Sequence, residues 1–247
     1  MHMEYSIPGN SALIMIDVQQ AWNDPSWGMR NNPDAEKVMS GALELWRENS
    51  LPVMHVRHDS RNPDSLLKAG KPGFEFKPEA MPADDEPVIV KHVNSGFIGT
   101  DLEQRIRAQG IHDLFFAGIT TDHCVSTTVR MAANLGFNVF VIQDACVTFD
   151  RKDLKGKTIK AEDVQSVSLA SLHREFATVL SSLRAVSVIT FTPSKRADSS
   201  ILYLGLCCDA VIPFSTLPTP SLKKAPGATS RNLEKSSPPI VGGGYTT

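Results

Sequence analysis

A chain of 247 residues, 41% hydrophobic and 21% charged, has the make-up of one large soluble domain, or of one domain with an appendage. A formal net charge of −2 argues against a nucleic-acid footprint or a basic membrane-binding face. No apolar run reaches the roughly 18 residues of a membrane span, and Met1 to Pro8 lacks a charged-then-apolar leader, so a reducing, cytoplasmic setting is the expectation.

The first apolar run, Ser11 to Ile16, reads as a strand covered on both faces, and it ends in Asp17. A loop with Trp22 and Trp27 follows. Asp34 then caps a helix whose apolar residues at 35, 38, 39, 42, 45 and 46 keep the helical period. Pro52 to Val56 is a second strand. Arg57 to Glu86 is a long Pro-punctuated connection, a length that usually serves as a lid or binding loop. Val88 to Val90 is a third strand, ending in Lys91. Thr100-Asp-Leu-Glu103 is a capping box for a short helix that stops at Gly110. Leu114 to Ala117 is a fourth strand. The chain then turns through Gly118 to Asp122, and a helix running from Cys124 to Leu135 stops at Gly136. Val139 to Ile142 is a fifth strand, residues 161–180 read as one long helix, and Ala185 to Thr190 as a sixth strand. Seven of the 16 prolines fall from Pro193 onward, so residues 1–191 read as the domain and 192–247 as a mostly disordered Pro/Ser/Gly-rich tail.

Alternating strands and helices imply a parallel sheet with helices on both faces, whose ligands bind beyond the carboxyl ends of the strands. Asp17, Lys91 and Cys124 all lie at or just past such ends, and therefore at one rim. A cysteine at the start of a helix is biased towards thiolate and is a candidate nucleophile, though it also reads as a small buried packing residue. Asp17 has the chemistry of a general base that later acts as general acid. Lys91 has the charge to lower the pKa of both neighbours, and backbone N–H groups of the Thr120 to Cys124 turn would hold an oxyanion. No G-x-G-x-x-G follows the first strand, which argues against dinucleotide binding.

Leu13-Ile-Met-Ile-Asp-Val-Gln-Gln20, Val90-Lys-His-Val-Asn-Ser-Gly-Phe97 and Gly118-Ile-Thr-Thr-Asp-His-Cys-Val125 resemble, in order and spacing, three signature segments of the isochorismatase-like cysteine hydrolases. The resemblance covers roughly residues 8–191. It implies a three-layer doubly wound α/β fold with a six-stranded parallel sheet in the order 3-2-1-4-5-6. It also implies Asp17, Lys91 and Cys124 as catalytic triad, the Thr120 and Cys124 amides as oxyanion hole, and a non-proline cis peptide at Ile119–Thr120. Nicotinamidases of this superfamily carry an Asp-x-His pair and a further histidine that bind a metal. Here His55-Val-Arg-His-Asp-Ser60 departs from that pattern, which puts nicotinamide in doubt, and His58 and Asp59 read as loop or substrate-bonding residues rather than metal ligands. Isochorismatases proper lack the nucleophilic cysteine, and the segments His55 to Ser60, Gly73 to Pro78 and Asn94 to Asp101 resemble most closely the streptothricin-hydrolase-like branch. Substrate-binding candidates are Trp22, His58, Phe97, Thr121 and His123. His173 and Cys146 read as structural, and Cys207 and Cys208 carry no assigned role. The expected activity is hydrolysis of a small-molecule amide with no cofactor or metal, in a homo-oligomer without nucleic-acid or membrane partners. The rival reading is a catalytically idle binding or scaffold protein.

Overall fold

The computed structural model describes residues 5–183 and 186–188. Six strands form the central sheet: β1 (Ser11–Ile16), β2 (Val53–His58), β3 (Val88–Lys91), β4 (Asp113–Ile119), β5 (Asn138–Val147) and β6 (Thr178–Leu180). Every pairing is parallel, in the order β3-β2-β1-β4-β5-β6, which is the expected 3-2-1-4-5-6. Strand order reverses at β1, so the crevice for a ligand opens where β1 and β4 end.

The helices are α1 (Ala35–Glu48), α2 (Leu102–Ala108), α3 (Ser126–Asn134) and α4 (Ala161–Leu172). Alternation along β1 divides the core. Leu13 and Met15 join Met39, Leu43 and Trp46 of α1 on one face, while Ala12, Ile14 and Ile16 join Ile106 of α2, Val129 of α3 and Leu169 of α4 on the other. Trp46 meets Phe115 edge-on at 5.1 Å, and Phe115 stacks on Phe140 at 4.6 Å. Among the described residues no helix is long and apolar enough to cross a membrane.

Beside β1, strand β4 comes so close that only glycine fits. A Cβ on Gly118, whose φ is +142°, would lie 2.1 Å from the Ile16 carbonyl oxygen.

The structure corrects several readings of the sequence. The helix expected over 161–180 ends at Leu172, because Arg174 turns the chain with a φ of +70°. Thr178–Leu180 then closes the sheet against β5 as its sixth strand. Val186–Val188, inside the segment expected to be that strand, pairs in parallel with Tyr5–Ile7 in a separate two-stranded sheet. Both triplets are β-formers, and the first one within reach of the free β5 edge takes it. Secondly, β2 runs on to His58, two residues beyond its expected end. Thirdly, α3 starts at Ser126 rather than Cys124. Finally, Glu103 pairs with Arg107 at 2.7 Å instead of closing a capping box. The tail from 192 lies outside the described residues, as do Cys207 and Cys208.

Candidate active site

Asp17 is the residue at which β1 stops. Its φ of +52° is a left-handed conformation that short polar side chains tolerate best. The Asp17 N–H donates to the Val56 carbonyl at 2.8 Å, and its own carbonyl accepts from the Trp22 indole at 2.6 Å. The carboxylate is thereby turned into the rim and fully buried.

Lys91 ends β3, two strands away from β1. Its four-carbon stem spans the intervening strand, and its side chain is fully buried too. The ammonium lies 2.7 Å from Asp17 Oδ2, 2.9 Å from His58 Nδ1, 3.2 Å from the Val93 carbonyl and 3.2 Å from Cys124 Sγ. Three N–H groups therefore serve four acceptors. The three side chains expected to converge do so around this one nitrogen.

Cys124 is not on the first turn of the helix. Residues 121–125 form a single wide turn in which the Val125 N–H reaches back five residues to the Thr120 carbonyl at 3.1 Å. The Ile119–Thr120 peptide bond that leads into the turn is cis. Within it Thr121 is fully buried, and the Thr120 and Thr121 hydroxyls have no hydrogen-bond partner among the described residues.

Electrostatics follow from one cation shared between two acids. Burial opposes the charge on Lys91, but Asp17 and Cys124 outweigh it and hold the ammonium above the ordinary lysine range. Burial raises Asp17 against the pull of Lys91. Cys124 is pushed well above an ordinary thiol, by burial first and the Asp17 carboxylate second. Burial and the Asp17 carboxylate thus oppose the thiolate that the sequence position favours, and Lys91 works against them.

Sequence reasoning missed two supporting groups. Gln19, fully buried, donates from Nε2 to the His58 and Phe74 carbonyls and accepts the His58 N–H on Oε1 at 2.8 Å. Its only sequence signal was its place two residues past Asp17, where side chains return to the same side. Asp122 accepts from Thr148 Oγ1 at 2.6 Å and from Arg151 Nε at 2.8 Å, which fastens the turn to the short hairpin of Arg151–Lys152 and Thr158–Ile159. Burial opposes ionisation of Asp122, yet Arg151 and Thr148 lower its pKa.

The other candidates are dispersed. Trp22 is buried and stacks on Phe149 at 5.9 Å with Trp27 beside it. Phe97 stacks on Phe137 at 6.2 Å within the core. His123 is exposed, 3.4 Å from Asp122. Asp59 turns away from His58 to Lys68 and the Ala69 N–H, both at 2.9 Å. Asp17, His58 and Cys124 do bring an oxygen, a nitrogen and a sulfur within 4.8 Å of one another. That donor set suits a metal, but the Lys91 ammonium lies within 3.2 Å of all three and takes the central place. A surface cleft of about 560 Å³ along Asn31, Gln143 and Gln165 touches none of the triad.

The isochorismatase domain model matches residues 11–182 of the chain. The isochorismatase family protein YrdC of Bacillus subtilis is 46% identical over 169 residues, which is 68% of this chain and 90% of the relative. A crystal structure from the isochorismatase family of Chromobacterium violaceum superposes with a TM-score of 0.69 at 46% identity, covering 71% of this chain and 92% of its own. Streptothricin hydrolase of Streptomyces noursei is 31% identical over 142 residues, 56% of this chain and 50% of the relative.

Proposed function

The chain belongs to the isochorismatase family, and on that footing we propose that it is a cysteine-dependent hydrolase of a small-molecule amide. The observation that carries the reading is the Lys91 ammonium held 2.7 Å from Asp17 and 3.2 Å from Cys124 in a fully buried rim. A scaffold has no use for an arrangement that costs so much desolvation.

In this reading the Asp17 carboxylate takes the thiol proton as Cys124 Sγ attacks the amide carbon. The Thr120 and Cys124 amides receive the developing oxyanion. Asp17 then gives that proton to the departing nitrogen, ammonia or an amine leaves, and an acyl-thioester remains. Water attacks the thioester while Asp17 again holds the proton, and returning it to sulfur releases the acid and restores the thiol. Lys91 keeps its proton throughout and balances whichever neighbour is negative.

Release of ammonia from a panel of small amides tests the proposal. Turnover by the intact protein that disappears in Cys124→Ala is the expected result. Turnover that survives the substitution overturns the covalent mechanism, and a panel left wholly uncleaved favours the idle scaffold.

A further inference from the structure

His58 lies in β2, between the strand that carries Lys91 and the strand that carries Asp17, in direct register with Lys91. Gln19 grips its backbone from both sides, through the N–H and the carbonyl. Its ring is aimed by a contact of a definite sense. An ammonium has only donors, so the Lys91 Nζ to His58 Nδ1 contact of 2.9 Å requires a lone pair on Nδ1. The ring proton must then sit on Nε2. Burial and the neighbouring ammonium bring the imidazole pKa down to about 4, against the smaller pull of Asp59, so the ring is neutral at pH 7. His92 beside it adds to that lowering.

The ring is half-buried, and Nε2 has no hydrogen-bond partner among the described residues. A ring nitrogen lies within 4.8 Å of both the Asp17 carboxylate and the Cys124 sulfur. An acyl group attached to that sulfur therefore carries its substituents past the imidazole. The oxyanion turn belongs to β4, while His58 approaches from β2, so the two sets of donors meet different parts of a substrate.

Resting on the hydrolase reading above, we propose that His58 is a specificity-determining residue, locked by Lys91 as an Nε2–H donor that recognises a second oxygen acceptor on the acyl fragment. The preferred substrates are then amides with a carbonyl or carboxylate oxygen beside the scissile carbonyl, rather than plain alkyl amides. The same lock denies His58 any part as a base, because its only lone pair on nitrogen is occupied.

Cys124 itself serves as the probe. The full chain is alkylated at pH 7 with iodoacetate, which brings carboxylate oxygens next to the reacting carbon, and with iodoethane, which brings none. Rates at Cys124 are read by mass spectrometry as a ratio. His58→Asn keeps an acceptor for Lys91 and loses the outer donor, so the iodoacetate-to-iodoethane ratio should fall about tenfold, the weight of one hydrogen bond. His58→Gln keeps a donor near the Nε2 position and should hold the ratio. A ratio unchanged in His58→Asn, or lost equally in both variants, overturns the proposal. Nitrogen-15 spectra of the unsubstituted protein give a second reading, in which a His58 proton on Nε2 alone is required and one on Nδ1 is fatal. Neither measurement needs turnover, so a negative amide screen would remove the hydrolase reading without being mistaken for the failure of His58.

Discussion

At the scale of single residues, the site is a competition for one positive charge. Asp17 raises the Cys124 thiol and Lys91 lowers it, so removing either should move the sulfur in opposite directions. Asp17→Asn is expected to abolish amide turnover yet let Cys124 alkylate faster at pH 7, since the ammonium then has one acid to balance. Iodoacetamide labelling against pH measures this, and a slower thiol in Asp17→Asn would refute it. Lys91→Met should slow labelling and leave a buried carboxylate without its counter-ion, a loss of about 3–5 kcal/mol in urea unfolding. Asp17, Lys91 and Cys124 were legible as site candidates because each ends or follows a strand whose apolar run is plain in the chain. Gln19 was not, because an amide that bonds only to backbone leaves no pattern in the letters.

Elements act on the site through their attachments. The hairpin at Arg151–Lys152 and Thr158–Ile159 grips the 121–125 turn through Asp122, so Arg151→Met should lower kcat about tenfold while KM stays within twofold. An equal change in KM would mean the hairpin meets substrate instead. Gly118→Ala presses a methyl on the Ile16 carbonyl at a φ that alanine avoids, and should cost about 3 kcal/mol or more in urea unfolding. The long connection after β2 is fastened at its far end where Glu86 pairs with Arg47 at 2.7 Å and with the fully buried His55 at 2.8 Å. Strand and helix periodicity fixed the elements, but not the end of α4. Residues 173–180 keep a helical rhythm, and the open edge of β5 overrode it.

For the molecule as a whole, these buried ions set how stability follows pH. Against burial, Arg30 and Lys77 hold Glu36 near 2, and Arg47 with the Ala83 N–H and His55 hold Glu86 near 2. Depressed carboxylates stabilise the fold above about 4.5, and that contribution drains away as pH falls towards 2. His55 adds to the same limb, because burial lowers it from 6.5 and only the unfolded chain takes up its proton readily. Asp17, raised by burial, runs the other way. The urea midpoint should therefore decline below pH 6.5 and more steeply below 4.5, and Glu86→Gln should flatten the lower limb at a cost of about 1–3 kcal/mol at pH 7. A limb equally steep in Glu86→Gln would discount that carboxylate. The amino-acid sequence alone determined the strand and helix alternation and placed Asp17, Lys91 and Cys124 at strand ends, because apolar runs are local facts, and its three signature segments carried the family resemblance from which the sheet order followed. Tertiary structure alone decided that burial and Asp17 oppose ionisation of Cys124, that Lys91 meets His58 Nδ1, and which triplet closes the sheet. Each of those depends on burial and on partners that are distant along the chain and meet only when the sheet is assembled.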